Sequence, residues 1–237
     1  MEKLYRIIGK EEIVGIQSDS NTTLSPRKQR VIDLLPQIFD VCSLAAKCNI
    51  KIASALRIAT QYGWVKNQIQ EYLDNHKENI PLDLFLIFDE NRTEIPLSYL
   101  IEFIISYNQK YEQYGTFLDE DAGDGQYLWE GIWELVRQKQ YPNLPSRLYS
   151  AFFFSDIRLA LDFQQQYAQI NTILVTSEIA SCKIEQFDME WITKVPINST
   201  METALEYADC YWAQKKTSNP VIETLLNGFY ILKEIRN

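Results

Sequence analysis

The chain has 237 residues, 46% of them hydrophobic and 23% charged, with 8 Gly and 8 Pro, a make-up that excludes disordered, collagenous and small disulfide-framework classes. The 23 basic against 32 acidic side chains give a net charge of −9 and a pI near 4.8. That balance opposes broad, sequence-independent capture of phosphate backbones, but not a local basic pocket for one nucleotide.

At this length folding hides roughly 70–75% of the surface that the unfolded chain exposes, so one large domain, or at most two small ones, needs no disulfide or metal. The opening MEKLYRIIGKEEIVGIQ is too charged for a signal peptide, and no apolar run reaches the roughly 18 residues of a membrane span. The expectation is a soluble, cytoplasmic protein. Residues 3–8, KLYRII, are predicted to form a first strand with Arg6 as its polar member, closed by Gly9. A loop from Asp19 to Ser25 then leads to a helix with Pro26 at its first position, bent at Pro36. Val31, Leu34, Leu35, Ile38, Val41, Cys42 and Leu44 keep its spacing, and a second helical pattern runs from Ile50 through Leu73.

PLDLFLIF, 81–88, reads as a strand or a helix turn. Ile95-Pro96-Leu97 opens another helix, with Leu100, Ile101, Ile104, Ile105 and Tyr111 on one face. LDEDAGDGQ, 118–126, is the clearest loop and the best candidate linker, and a helix carrying Leu128, Trp129, Ile132, Trp133 and Val136 follows it. Beyond Tyr141-Pro142 the texture changes. RLYSAFFF (147–154), NTILVTSEI (171–179) and SCKIEQFD (181–188) are three strand-like runs, with a short helix at 156–163 between the first two. Ser199 and Glu202 have the spacing of a capping box. VIETLLNGFYILKEI is a strand pair or a kinked strand, broken at Asn227-Gly228.

One strand, about 120 helical residues and a β-rich half lack the alternation of a doubly wound sheet, so the predicted class is α+β. KLYRII must then pair with strands from the far half. The reading is a single domain with core strands in 1–10 and 142–237 and a helical insertion over about 26–140.

Several chemistries fall away. His76 is the only histidine, so Ser-His-Asp and Cys-His catalysis both rest on one residue in a polar stretch. Cys42, Cys48, Cys182 and Cys210 form no CxxC pair, and they read as reduced structural thiols with no metal expected. No GxxxxGK[ST] or GxGxxG occurs. Asp119, Asp121, Asp124 and Glu130 approach a calcium loop but place Asp124 where that loop needs Gly, so a solvated acidic loop is the expectation. Tyr211 and Trp212, neighbours about 100° apart on a helix, are core residues or leave one ring to face a cleft as a stacking surface.

Arg6 on the first strand, Pro145-Ser146-Arg147 before a middle strand, and Glu223 opening the last apolar segment form a more specific series. With LYRII, PSRLYSAFFFSDIRLALDF and ALEYADCYW before VIETLLNGFYILKEI, this order resembles the ADP-ribosyltransferase fold, in the texture of uncharacterised bacterial members of that group. The words fall in 1–10 and about 128–237, and PSR departs from the family's usual Ser-Thr-Ser strand.

The resemblance implies a split β-sheet core that takes NAD as substrate. It also implies transfer of ADP-ribose to a protein or nucleic acid with release of nicotinamide, in a toxin or phage-defence effector with an antitoxin partner. Glu223 and Arg6 are the implied catalytic residues. Arg6, Ser146, Arg147, Tyr149, Ser150, Phe153 and Tyr211 are the implied NAD contacts. The chemistry gives these types independent reasons: a carboxylate stabilises the oxocarbenium-like state of nicotinamide–ribose cleavage, and a guanidinium grips a pyrophosphate with paired hydrogen bonds. An NAD hydrolase on the same fold, or a non-catalytic partner-binding protein using the helices at 26–113, are the competing readings.

Overall fold

The computed structural model describes residues 3–10, 12, 14–75, 85–88, 93–114, 118, 125–167, 171–196 and 198–235. His76 and the acidic residues Asp119, Asp121 and Asp124 lie outside the described residues. In chain order the elements open with β1 (Leu4–Gly9), β2 (Gln17–Asp19), α1 (Pro26–Cys48), α2 (Ile52–Thr60) and α3 (Tyr62–Asn75). There follow β3 (Phe85–Phe88), β4 (Thr93–Pro96), α4 (Leu97–Tyr114) and α5 (Gly125–Gln140). The rest is β5 (Ala151–Phe153), α6 (Ile157–Tyr167), β6 (Thr172–Asp188), α7 (Glu190–Thr193), α8 (Met201–Trp212) and β7 (Ile222–Glu234). This is an α+β protein, and the chain divides into two compact units.

The first unit comprises Met1–Gln29, Val136–Lys194 and Ala208–Asn237. Its five-stranded antiparallel sheet has the order β1-β6-β7-β2, with β5 also on β7. The expected long-range pairing of the first strand is present: Leu4 faces Ser177 and Gly9 faces Thr172. The edge of β7 away from β6 carries β5 against Thr224–Leu226 and β2 against Phe229–Ile231. Tyr5 and Phe154 exchange backbone hydrogen bonds of 2.8 and 2.7 Å, so the chain leaving β5 also reaches β1 and the sheet curls on itself.

Leu4, Ile8, Phe153, Val175, Leu226, Tyr230 and Leu232 fill the inside of the curl. On the outer face, Phe187 stacks on Tyr211 at 4.7 Å between ring centroids, and Trp212 meets both edge-on. Both rings of the Tyr211-Trp212 pair are buried, so neither faces a cleft.

The strands depart from expectation at two points, and at a third they decide between two open readings. Arg147 to Ser150 form a turn, and only Ala151–Phe153 pair as strand. The runs at 171–179 and 181–188 are one strand, because a register shift between Ile179 and Ser181 absorbs Ala180 as a bulge rather than a break. Opposite that bulge β7 continues through Asn227-Gly228 without a hairpin. Gly228 has φ +129°, and a Cβ there would stand 2.5 Å from the Ser181 carbonyl oxygen. The glycine serves close strand approach, not chain reversal.

The second unit comprises Arg30–Leu135 and Val195–Tyr207. Helix α1 runs through Pro36 as one helix and buries Leu34, Ile38 and Val41. Gly131 of α5 admits it closely: a Cβ at that position would lie 2.5 Å from Cγ2 of Ile38. The pattern from Ile50 through Leu73 divides into α2 and α3. Residues 93–96 pair with Phe85–Phe88, so the expected helix at Ile95 starts instead at Leu97. Thr200, not Ser199, caps α8: its Oγ1 accepts from the Thr203 N–H and its carbonyl from the Ala204 N–H. Ser199 turns its hydroxyl to the Pro196 carbonyl instead.

No helix among the described residues is long and apolar enough to cross a membrane, and no cluster of His, Cys, Asp and Glu among them has the form of a metal site.

Candidate functional site

The predicted site residues fall in two places within the first unit. Adjacent residues of a strand point to opposite faces. The Arg147 guanidinium lies 4.8 Å from the Phe152 ring centroid, whereas that of Arg6 lies 5.8 Å from Phe153. Arg147 therefore belongs to the outer face of β5 and Arg6 to the inside of the curl. Glu223 pairs across the ladder with Phe187 and shares the outer face.

On that outer face Arg147, Tyr211 and Glu223 close on one another. Arg147 Nη1 donates to Glu223 Oε1 and, at 2.8 Å, to the Tyr211 hydroxyl. Tyr211 in turn donates to Glu223 Oε1 at 2.8 Å. Arg147 is 8% exposed and Glu223 5%. Burial pushes the Tyr211 hydroxyl well above its ordinary pKa; the Arg147 charge pulls the other way and the Glu223 carboxylate adds to the rise. The phenol is thus a protonated donor at neutral pH. The turn that delivers Arg147 is self-satisfied, because Ser146 Oγ accepts from the Leu148 N–H and Ser150 Oγ donates to the Ser146 carbonyl. Arg147, Tyr211 and Glu223 make a sealed ion-pair cluster, and the hydroxyls of Ser146 and Ser150 serve their own turn. Tyr149 is exposed, with its carbonyl accepting from Asn227.

Inside the curl, Arg6 follows the alternation Leu4, Arg6, Ile8, and its neighbours there are core. Its Nη1 donates to the Tyr230 hydroxyl at 3.3 Å, and the Phe153 ring meets that of Tyr230 edge-on at 5.5 Å. The Arg6 side chain is 27% exposed. It opens onto a cleft of about 680 Å³ whose wall includes Glu12, Asp19, Thr22, Ser25 and Phe229.

The cleft is shaped by the segment DSNTTLSP. Asp19 Oδ1 accepts from the Asn21 backbone and side-chain N–H groups at 3.0 and 2.9 Å, turning the chain after β2. Ser20 and Gly228 exchange hydrogen bonds, which ties this turn to β7. Ser25 Oγ accepts from the Lys28 N–H and caps α1, so the positive end of that helix dipole borders the cleft. Lys28 donates to the Ser150 carbonyl and lies 4.2 Å from the Phe152 centroid, anchoring the first turn of α1. One guanidinium, two carboxylates, hydroxyls and a 42%-exposed Phe229 ring line one space.

Residues 57–237 match the family model described as a protein of unknown function, DUF2441. The chain belongs to that family. No curated protein matches it. The matched span includes Arg147, Tyr211, Glu223 and the β7 wall of the cleft, while Arg6, Glu12 and the loop at 19–25 precede it.

Glu12, Ser18, Thr22, Thr23, Phe229 and Tyr230 line the cleft without belonging to any motif of the sequence. The hydroxyl-rich run before a capped helix was the available signal, and it reads as a capping loop until β7 is known to lie beside it.

Proposed function

We propose that the first unit binds NAD in the Arg6 cleft and that the chain is an NAD-dependent ADP-ribosyltransferase. The observation that carries this reading is the guanidinium of Arg6, held from within the sheet by Tyr230 and Phe153 and exposed to an open cleft. An arginine fixed in this way presents its donors to a pyrophosphate with little conformational freedom left to lose.

The remaining lining suits the rest of the molecule. The Ser25 hydroxyl and the α1 N-terminus favour the phosphates, carboxylates accept from ribose hydroxyls, and the Phe229 ring offers a face to a flat heterocycle. The order of Arg6, Ser146-Arg147 and Glu223 resembles that of the ADP-ribosyltransferase split sheet, but Arg147 and Glu223 stand on the opposite face from Arg6 and take no part in this cleft. In this reading the acceptor is a protein or nucleic acid, the effector is of toxin or phage-defence type, and an antitoxin is its partner. Water as acceptor would make the same site an NAD hydrolase.

A second reading, a partner-binding protein without catalysis, is favoured by one specific observation: Glu223 is sealed in an ion pair away from Arg6. The test is nicotinamide release and label transfer from labelled NAD, in separate reactions with lysate protein, RNA and DNA, for the wild type and Arg6→Ala. Release by the wild type, at least tenfold lower in Arg6→Ala with an unchanged melting midpoint, is expected. A wild type that neither binds nor cleaves NAD overturns the assignment.

A further inference from the structure

We propose that Glu12, rather than Glu223, is the carboxylate that faces the reacting ribose; this rests on the reading of the Arg6 cleft as the NAD site. Cleavage at the anomeric carbon needs an anionic oxygen beside the developing positive charge, in contact with the ligand at the moment of bond breaking. Glu223 is 5% exposed, and its Oε1 already accepts from both Arg147 and Tyr211. Presenting it to a ligand would break both of these bonds in a buried setting.

Two carboxylates line the cleft, and their position relative to Arg6 separates them, because among the described residues Glu12 is the one within ion-pair reach of that guanidinium. Asp19 uses Oδ1 for two bonds to Asn21, while its backbone carbonyl accepts from Thr22 and Thr23, so it is part of the turn that shapes the wall. Glu12 accepts from the Gly9 N–H through Oε1 at 3.2 Å, which fixes where the side chain stands. Its Oε2 lies 3.9 Å from Arg6 Nη2, at the outer limit of an ion pair. The Glu12 side chain is 45% exposed. The carboxylate is thus oriented by one oxygen and has the other next to the guanidinium, on the wall of the cleft.

The step balances with no further reagent. The bond between ribose C1′ and the nicotinamide nitrogen breaks, and its electron pair leaves on nicotinamide, neutralising the pyridinium. A lone pair of an acceptor oxygen or nitrogen forms the new bond to C1′. The acceptor's proton passes to Glu12 Oε2 and from there to water. Glu12 is anionic while C1′ is most positive and takes the proton once the charge has moved to the acceptor.

The test compares the wild type with Glu12→Gln, which keeps size and surface position but removes the charge. The measurements are NAD affinity by calorimetry, nicotinamide release at saturating NAD, and the melting midpoint. Expected is a fall in release of about 100-fold, with affinity within threefold and an unchanged midpoint. Release within twofold of wild type overturns the assignment of Glu12 and leaves the NAD site standing. A weakened affinity with unchanged saturating release also overturns it, because the carboxylate then acts in binding alone. A wild type that neither binds nor cleaves NAD overturns the site and this assignment together.

Discussion

Glu223 holds its charge where water does not reach it, and the consequence is first of all energetic. Removing one member of a buried, hydrogen-bonded ion pair leaves the other uncompensated, at a cost of about 3–5 kcal/mol, whereas replacing both by apolar groups of similar volume is often neutral or stabilising. Glu223→Gln is therefore expected to lower unfolding stability by about 3–5 kcal/mol in urea denaturation. The double variant Arg147→Met with Glu223→Leu is expected to recover most of that loss. A Glu223→Gln midpoint equal to wild type would mean that the cluster is open to solvent. It follows that lost activity in Glu223→Gln, taken alone, reports folding rather than chemistry. Arg6 and Glu12, both partly exposed, are the positions at which activity and stability separate.

At the scale of elements, Asp188 is the tie that starts β7 in the right place. Its Oδ2 accepts from the Thr217 N–H and hydroxyl, both at 2.7 Å, and its Oδ1 from the N–H groups of Glu190 and Val221 at 3.1 and 3.0 Å. Burial alone would raise its carboxyl, but these donors to the anion outweigh it and hold the pKa below the ordinary 3.8. A folded value below the unfolded one stabilises the fold above about pH 4, and that contribution is lost as the pH falls through the folded value. Asp188→Asn is expected to cost about 3 kcal/mol at pH 7. Its stability curve should then approach the wild-type curve as the pH falls below about 4, checked by urea unfolding across pH 2–7. Parallel curves would assign the loss to packing.

The same stretch shows what the sequence could and could not disclose. The lack of other strands near KLYRII was enough to require a partner from the far half of the chain, but not to say that β6 is that partner. At Asn227-Gly228 the sequence left a strand pair or a kinked strand open and a single strand is found, and at Ser199 the expected cap falls to the next residue, because those residue types serve two purposes each. Gly228 permits close strand approach as well as reversal, and Ser199 closes onto Pro196 while Thr200 caps. Arg6, Arg147 and Glu223 were expected in one cleft; Arg147 and Glu223 meet as a buried ion pair, and Arg6 is not with them. That Arg6 stands on the other face of the sheet depends on strand parity and curl, which no spacing rule carries.

For the whole molecule the net charge of −9 sets how the cleft meets an anion. The summed field repels a nucleotide at long range, while Arg6 attracts it at contact, and salt acts on these two terms unequally. With a Debye length of about 10 Å at 0.1 M, added salt screens the distant surface charges well before it weakens a desolvated guanidinium–phosphate pair. A surface that tracks nucleic acid behaves in the opposite way, losing orders of magnitude in affinity over the same range as counterions are no longer released at a profit. NAD affinity is accordingly expected to change by less than about threefold between 20 and 200 mM salt. Generic duplex DNA and RNA should show no retention even near 50 mM. Anisotropy with a fluorescent NAD analogue and with labelled duplexes checks both. A steep fall in NAD affinity with salt would mean that the ligand is held by exposed surface cations such as Arg27, on the first turn of α1, and not by the arginine within the curl. Tight duplex binding at low salt would show that a basic surface overrides the acidic whole, and it would make nucleic acid the first acceptor to test for transfer.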